Sequence, residues 1–257
     1  MARVELEIAR GVATVTLNRP ERHNAFNEEL IEGLIATLQR IEGDDAARIL
    51  LLRAAGKSFS AGADLDWMRR MAAYDEAENL ADAKRLALLL QLLNFMPKPT
   101  IAAVQGAALG GGVGLVAACD IVVASPVAMF GLTEVRIGLI PAVISPYVVQ
   151  AIGERAARRY FLTGERFDAA TALALGLVTE VAEDLSAAAA RFIEGLEAGA
   201  PEAQAAAKKV IRRVGRGPIN SAMIDDTAER IARMRAHPEA REGIAAFFEK
   251  RKPNWQG

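Results

Sequence analysis

A chain of 257 residues with a formal net charge of −1 can bury a substantial core without cross-links, and it lacks the strong positive field that a general nucleic-acid binder needs. The single Cys119 excludes an intramolecular disulfide, and His23 and His237 stand too far apart in sequence to form a metal-ligand cluster, so no metal is expected. Arg3-Val4-Glu5 alternates charge with apolar character where a secretory signal needs an unbroken apolar run, so a cytoplasmic setting and a small-molecule partner are expected, without nucleic acid or membrane.

The chain opens as a β-hairpin. Val4, Leu6 and Ile8 alternate with polar neighbours, Arg10-Gly11 punctuates, Val12 to Leu17 alternates again, and Asn18-Arg19-Pro20 ends the second strand. From Asn27 the apolar residues Leu30, Leu34, Ile35, Leu38 and Ile41 recur at helical spacing, with Glu28 and Glu29 in the first turn and Gly43 closing. A buried strand, Ile49 to Leu52, leads to a turn at Ser58 to Gly62. A helix then carries Leu86, Leu89, Leu90 and Leu93 on one face, and Pro97-Lys98-Pro99 is extended. The uncharged run from Thr100 to Cys119 is long enough to span a bilayer. Gly106, Gly110, Gly111, Gly112 and Gly114 interrupt it, and it is read instead as strand, turn and small-residue helix. Short strands at Ile121 to Ala124 and around Met129-Phe130 follow. Strands alternating with helices predict a layered α/β fold whose continuous apolar strands are covered by helices. After about Ala200 only helices are predicted: Pro201 to Val214, Ile219 to Ala236 and Pro238 to Lys250. This region holds 12 Lys/Arg against 7 Asp/Glu, an excess that marks a solvated helix face or a site for phosphates.

Three segments carry chemistry. In Phe59-Ser60-Ala61-Gly62-Ala63-Asp64-Leu65, small residues between a strand and a helix let a ligand approach the backbone, and Asp64 is a candidate helix cap. Val104-Gln105-Gly106-Ala107-Ala108-Leu109-Gly110-Gly111-Gly112-Val113-Gly114 is a second such turn. Its Gly112-x-Gly114-x-x-Ala117 pattern imitates a dinucleotide fingerprint, but Gln105 to Leu109 separate it from its strand. Two turns of this kind suggest paired backbone N–H donors converging on one oxyanion, the chemistry of thioester enolates. In the third segment, Phe130 to Pro141, Glu134 stands alone among apolar residues. It is either a buried acid/base with a raised pKa or a partner of Arg136 or of a backbone turn.

In this order and spacing the three segments resemble the crotonase (enoyl-CoA hydratase/isomerase) family. The hairpin ending Asn18-Arg19-Pro20, then Asn24-Ala25, Thr163-Gly164, Ala170 to Val178 and the run Glu242 to Arg251 extend the resemblance over essentially the whole chain. The run Glu134 to Pro146 is most similar to bacterial methylglutaconyl-CoA-type hydratases of leucine and acyclic terpene breakdown.

The resemblance implies a spiral of ββα units over 1–199 and a C-terminal helical trimerisation region over 200–257, giving a homotrimer or a dimer of trimers. It implies an oxyanion hole from the N–H groups of Ala63 and Gly111, and Glu134 as catalytic acid/base. Coenzyme A contacts fall at Arg22, Asn24, Ala25, Ala61, Asp64, Leu65, Phe247 and Lys250. Coenzyme A arrives as part of the acyl-CoA substrate, so no separate cofactor is implied. Arg136 is a candidate for a substrate carboxylate, or else an ordinary surface or ion-paired arginine. Where the family's hydratases commonly carry a first glutamate this chain has Gly114. One carboxylate alone also serves double-bond isomerases, so hydration is the leading expectation and isomerisation its rival. Outside enzymes, a non-catalytic acyl-CoA or RNA binding protein is a third reading, since relatives recruited to RNA or to scaffolding exist.

Overall fold

The alternating N-terminal segments pair as expected: β1 (Val4–Ala9) lies antiparallel to β2 (Val12–Leu17), with Val4 opposite Leu17, and Arg10 and Gly11 take the turn at positive φ. The computed structural model describes residues 3–215 and 217–256. The chain divides into two units, Met1–Met96 with Thr100–Ala190, and Pro97–Pro99 with Arg191–Gly257.

In the first unit, α1 (Glu28–Glu42) begins where Asn27 accepts the N–H of Leu30, and its one apolar face, Leu30, Leu34, Leu38 and Ile41, is buried. The strand β3 (Ile49–Ala54) follows, then α2 (Leu65–Met71), and α3 (Glu76–Phe95), which starts on a reciprocal Asp75–Glu78 capping box. Next come β4 (Thr100–Val104), β5 (Ala107–Leu109), α4 (Gly111–Ala118), β6 (Ile121–Ala124) and β7 (Met129–Gly131). A 3-10 turn over Glu134–Ile137 leads to α5 (Ser145–Thr163), β8 (Arg166–Asp168), α6 (Ala169–Leu175), β9 (Glu180–Val181) and α7 (Leu185–Glu197), within which the two units meet in sequence.

The main sheet runs β1-β2-β3-β4-β6-β9, and from β2 onward every pairing is parallel. All five residues of β4 are buried, as a central parallel strand covered on both faces must be. A second sheet, β5-β7-β8, is built partly from residues read in the sequence only as spacers: Ala107 pairs with Met129 and Leu109 with Gly131. A three-residue strand is too short to carry an alternation signal. The core joins Leu17, Leu30, Leu50, Leu52, Phe59, Leu89, Val104, Leu115 and Phe130, all essentially inaccessible, each contributing about 1.5–3 kcal/mol of apolar burial.

The second unit is helical, with no strand among its described residues: α8 (Pro201–Val214), α9 (Ser221–Ala236) and α10 (Pro238–Glu249). Proline opens α8 and α10, and Asn220 caps α9 by accepting the N–H of Met223. The Lys208 ammonium donates to the Lys98 carbonyl at 3.0 Å, and Trp255 packs on Gly243. Ile231, Ile244, Phe247 and Phe248 remain exposed. No helix of the described chain is long and apolar enough to cross a membrane.

Candidate active site

The turn after β3 is stitched to two other segments. On one side Ala61 N–H donates to His23 O, Phe26 N–H to Gly62 O and Asp64 N–H to Phe26 O; on the other, Ser60 N–H donates to Ala107 O and Leu109 N–H to Ser60 O. In extended backbone successive N–H groups point to opposite edges, so the Ala63 N–H faces away from Phe26, toward the edge where Leu109 and Gly110 run. Ala63 is exposed, and among the described residues no protein acceptor meets its N–H.

Gly110 makes the second turn. Its backbone angles, φ 51 and ψ −117, suit glycine alone, and its N–H donates to Gly131 O at 2.9 Å. Gly111 then opens α4 with its N–H unmet by any acceptor among the described residues. The Phe26 ring lies against Gly111, with Cε2 at 3.1 Å from where a β-carbon would stand. Phe26 therefore braces both turns.

Glu134 enters from the third segment. Its Oε1 lies 3.1 Å from the position a Gly110 β-carbon would take, and Gly62 Cα lies 3.9 Å from that same point, so both turns and the carboxylate converge. Oε2 is buried without a hydrogen-bond partner, and burial pushes the carboxyl above its ordinary value against a smaller opposing pull from its own backbone N–H. No Glu134–Arg136 pair forms. The Arg136 side chain runs along Gly164, and its charge helps hold the Glu165 carboxyl low, behind the larger effect of Arg159. The Glu134 carboxylate is thus partly buried rather than ion-paired with Arg136, and Arg136 lies on the α5–β8 turn.

A buried network fixes the first turn from beneath. Arg19 and Asp64 pair at 2.8 Å with side chains 9% and 5% exposed, and Arg19 also donates to Ala25 O at 2.9 Å. Asn24 accepts from Arg19 N–H and donates to Ala55 O and Ser58 O. Asp64 caps α2 by accepting from Asp66 and Trp67 N–H. Burial pushes the Asp64 carboxyl up, but those two N–H groups and Arg19 together hold it below the usual carboxylate range. Of the residues expected around coenzyme A, Asn24, Ala25 and Asp64 are buried, with both polar side chains occupied in this network. Arg22 and Leu65 are exposed and Ala61 is half-buried. Phe247 is exposed on α10 of the second unit and Lys250 is its left-handed C-cap. Sequence reasoning gave no role to Arg19, Phe26 or Ile144, whose side chain fills the space beside Gly114; Arg19 and Ile144 lie within quoted runs and Phe26 follows Asn24-Ala25, but their contacts are set by pairing across the fold.

A sequence model of the enoyl-CoA hydratase/isomerase family matches residues 7–257. The chain belongs to the enoyl-CoA hydratase/isomerase family. Its fold is the crotonase fold: a crystal structure of an enoyl-CoA hydratase from Shewanella pealeana is 49% identical, with a TM-score of 0.97 over 98% of this chain and 96% of that one. Among curated family members, the 2,3-dehydroadipyl-CoA hydratase of Escherichia coli is 34% identical over 96% of this chain and 95% of its own length. The trans-2-decenoyl-acyl-carrier-protein isomerase of Streptococcus mutans is 31% identical over 97% of this chain and 96% of its own length. Family membership therefore spans both hydration and isomerisation, and the site's single carboxylate must be read against both.

Proposed function

We propose that this enzyme adds water to, or removes it from, an α,β-unsaturated acyl-CoA. The observation that carries the proposal is the convergence of Glu134 on Gly110, between the free N–H groups of Ala63 and Gly111. In this reading the two N–H groups hold the thioester oxygen as it gains negative charge. The Glu134 carboxylate takes a proton from water, the oxygen bonds to the β-carbon, and the proton is delivered to the α-carbon, returning the carboxylate to its starting state. The names of the Shewanella and Escherichia relatives support hydration. Ile144 and Leu90 fill the space beside Gly114, where the family's hydratases commonly carry a first glutamate; this favours a second reading, isomerisation, in which Glu134 carries a proton between carbons and no water is consumed.

The acyl group we propose is branched or carboxylated, of methylglutaconyl type, on the strength of the Glu134 to Pro146 run. A panel of straight-chain, branched and carboxylated enoyl-CoA thioesters, analysed by product mass, tests both points. Hydrated products gain the mass of water; unchanged mass with a moved double bond assigns the enzyme to isomerisation. A higher kcat/KM for crotonyl-CoA than for every branched or carboxylated member would refute the substrate class.

We also propose a homotrimer, or a dimer of trimers. Ile231, Ile244, Phe247 and Phe248 on α9 and α10 are 49–77% exposed, more apolar surface than one helical unit leaves in water without a partner. Sedimentation at micromolar concentration is expected to give a trimer or hexamer, and a monomer there overturns this.

A further inference from the structure

Gly114 stands three residues after Gly111 on α4, so the two share one helix face, about 4.5 Å apart along the axis. Side chains on a helix lean toward its N-terminus, so a side chain at position 114 would lie over the turn that presents the Gly111 N–H. That space is already filled. Ile144 Cγ2 occupies it, with Ile144 Cβ 3.0 Å and Leu90 Cδ1 3.5 Å from where a Gly114 β-carbon would stand. Ile144 is 3% exposed and held in place at the start of α5, where its carbonyl accepts the N–H groups of Tyr147 and Val148. Glu134 hangs over Gly110 on the same turn of α4.

We infer that Ile144 is a specificity-determining residue whose γ-methyl limits the length of the acyl chain beyond its fourth carbon. The inference rests on the proposed reading that the thioester oxygen sits at the Ala63 and Gly111 N–H groups. From there the step of about 4.5 Å along α4 to Gly114 matches the reach of three to four carbon–carbon bonds. Ile144 is fixed by its own backbone bonds and by Gly114 and Leu90, so it cannot swing aside for a larger substrate without disturbing α4.

The test compares wild type with Ile144→Val, which keeps both γ-carbons, Ile144→Leu, which conserves volume but removes the branch, and Ile144→Ala. The readouts are kcat/KM for trans-2-hexenoyl-CoA relative to crotonyl-CoA, and calorimetric affinity for hexanoyl-CoA relative to butyryl-CoA. Ile144→Val is expected to leave both ratios near wild type. Ile144→Leu and Ile144→Ala are expected to raise both toward the longer chain, by about tenfold or more for Ala, the scale of a methylene-sized change against apolar packing. If Ile144→Ala does not fold, the volume-conserving Ile144→Leu decides. Ratios within twofold of wild type in Leu and Ala, or an equal shift in Val, overturn the inference. If wild type turns over no enoyl-CoA at all, the functional reading fails separately, and the affinity ratios still decide whether Ile144 limits acyl bulk.

Discussion

Glu134→Gln is expected to lower kcat by at least about a hundredfold while leaving acyl-CoA affinity nearly unchanged, since it keeps the shape of the side chain but cannot accept a proton. Two features make the effect this large. The Glu134 carboxylate lies over Gly110 at its approach to Gly62, and its unpartnered Oε2 has no hydrogen bond to lose when the proton moves. Asp120, the other acid that could be asked to replace it, accepts from the Thr100 N–H and hydroxyl at the start of β4, the end opposite the Gln105–Gly110 turn. The pH profile gives a second reading of the same group. Burial raises the Glu134 carboxyl above its ordinary 4.5, so the acidic limb of kcat/KM should lie above that value. The linked stability has the opposite slope. The unfolded chain releases this proton first, so stability declines as pH rises from 4.5 through the native value, and Glu134→Gln removes that decline. A loss in kcat of less than tenfold, measured on a carboxylated substrate, would remove Glu134 from the mechanism.

Asp64→Ala should have the largest effect on stability, about 3–5 kcal/mol by denaturant titration, because it leaves the buried Arg19 guanidinium without its counter-charge. The same change removes the cap of α2, which alone is worth about 1 kcal/mol. Arg19→Met combined with Asp64→Ala should cost less than the two single changes together, since neither charge is then left unpaired. The sign with pH follows from the depressed carboxyl: its contribution is complete above the ordinary 3.8 and is lost as pH falls through the native value. A double-variant loss equal to the sum of the two single losses would show that the ion pair contributes little beyond the cap.

The elements with long, regular patterns were legible in the sequence. The helix capped by Asn27, the strand beginning at Ile49 and the three C-terminal helices lie within a residue or two of their expected bounds, since each is specified by its own periodicity and caps. The segments of the site were legible as well, because glycine-rich turns and a lone acid among apolar residues stand out locally. What escaped was contact between segments distant in the chain. Nothing around Gly114 announces that Ile144, thirty residues later, fills the space beside it, and nothing around Arg19 announces Asp64. The choice between an ion pair and a buried acid for Glu134 likewise turned on where Arg136 lies, which only packing against Gly164 decides.

The order of the main sheet bears on how the molecule is made. From β1 to β4, and then β6 and β9, each strand joins the outer edge of the one before it, so the sheet can grow in the order in which a nascent chain leaves the ribosome. At each stage the newest strand presents an open parallel edge, and β4, destined for burial along its whole length, keeps that edge bare until Ile121–Ala124 has been synthesised. The interval is about twenty residues of elongation, on the order of seconds. The vulnerable species in expression is therefore a chain arrested just beyond Val104, where the turn bearing Ala63 has been synthesised but neither its partners Ala107 and Leu109 nor Gly111 and Glu134 have joined it.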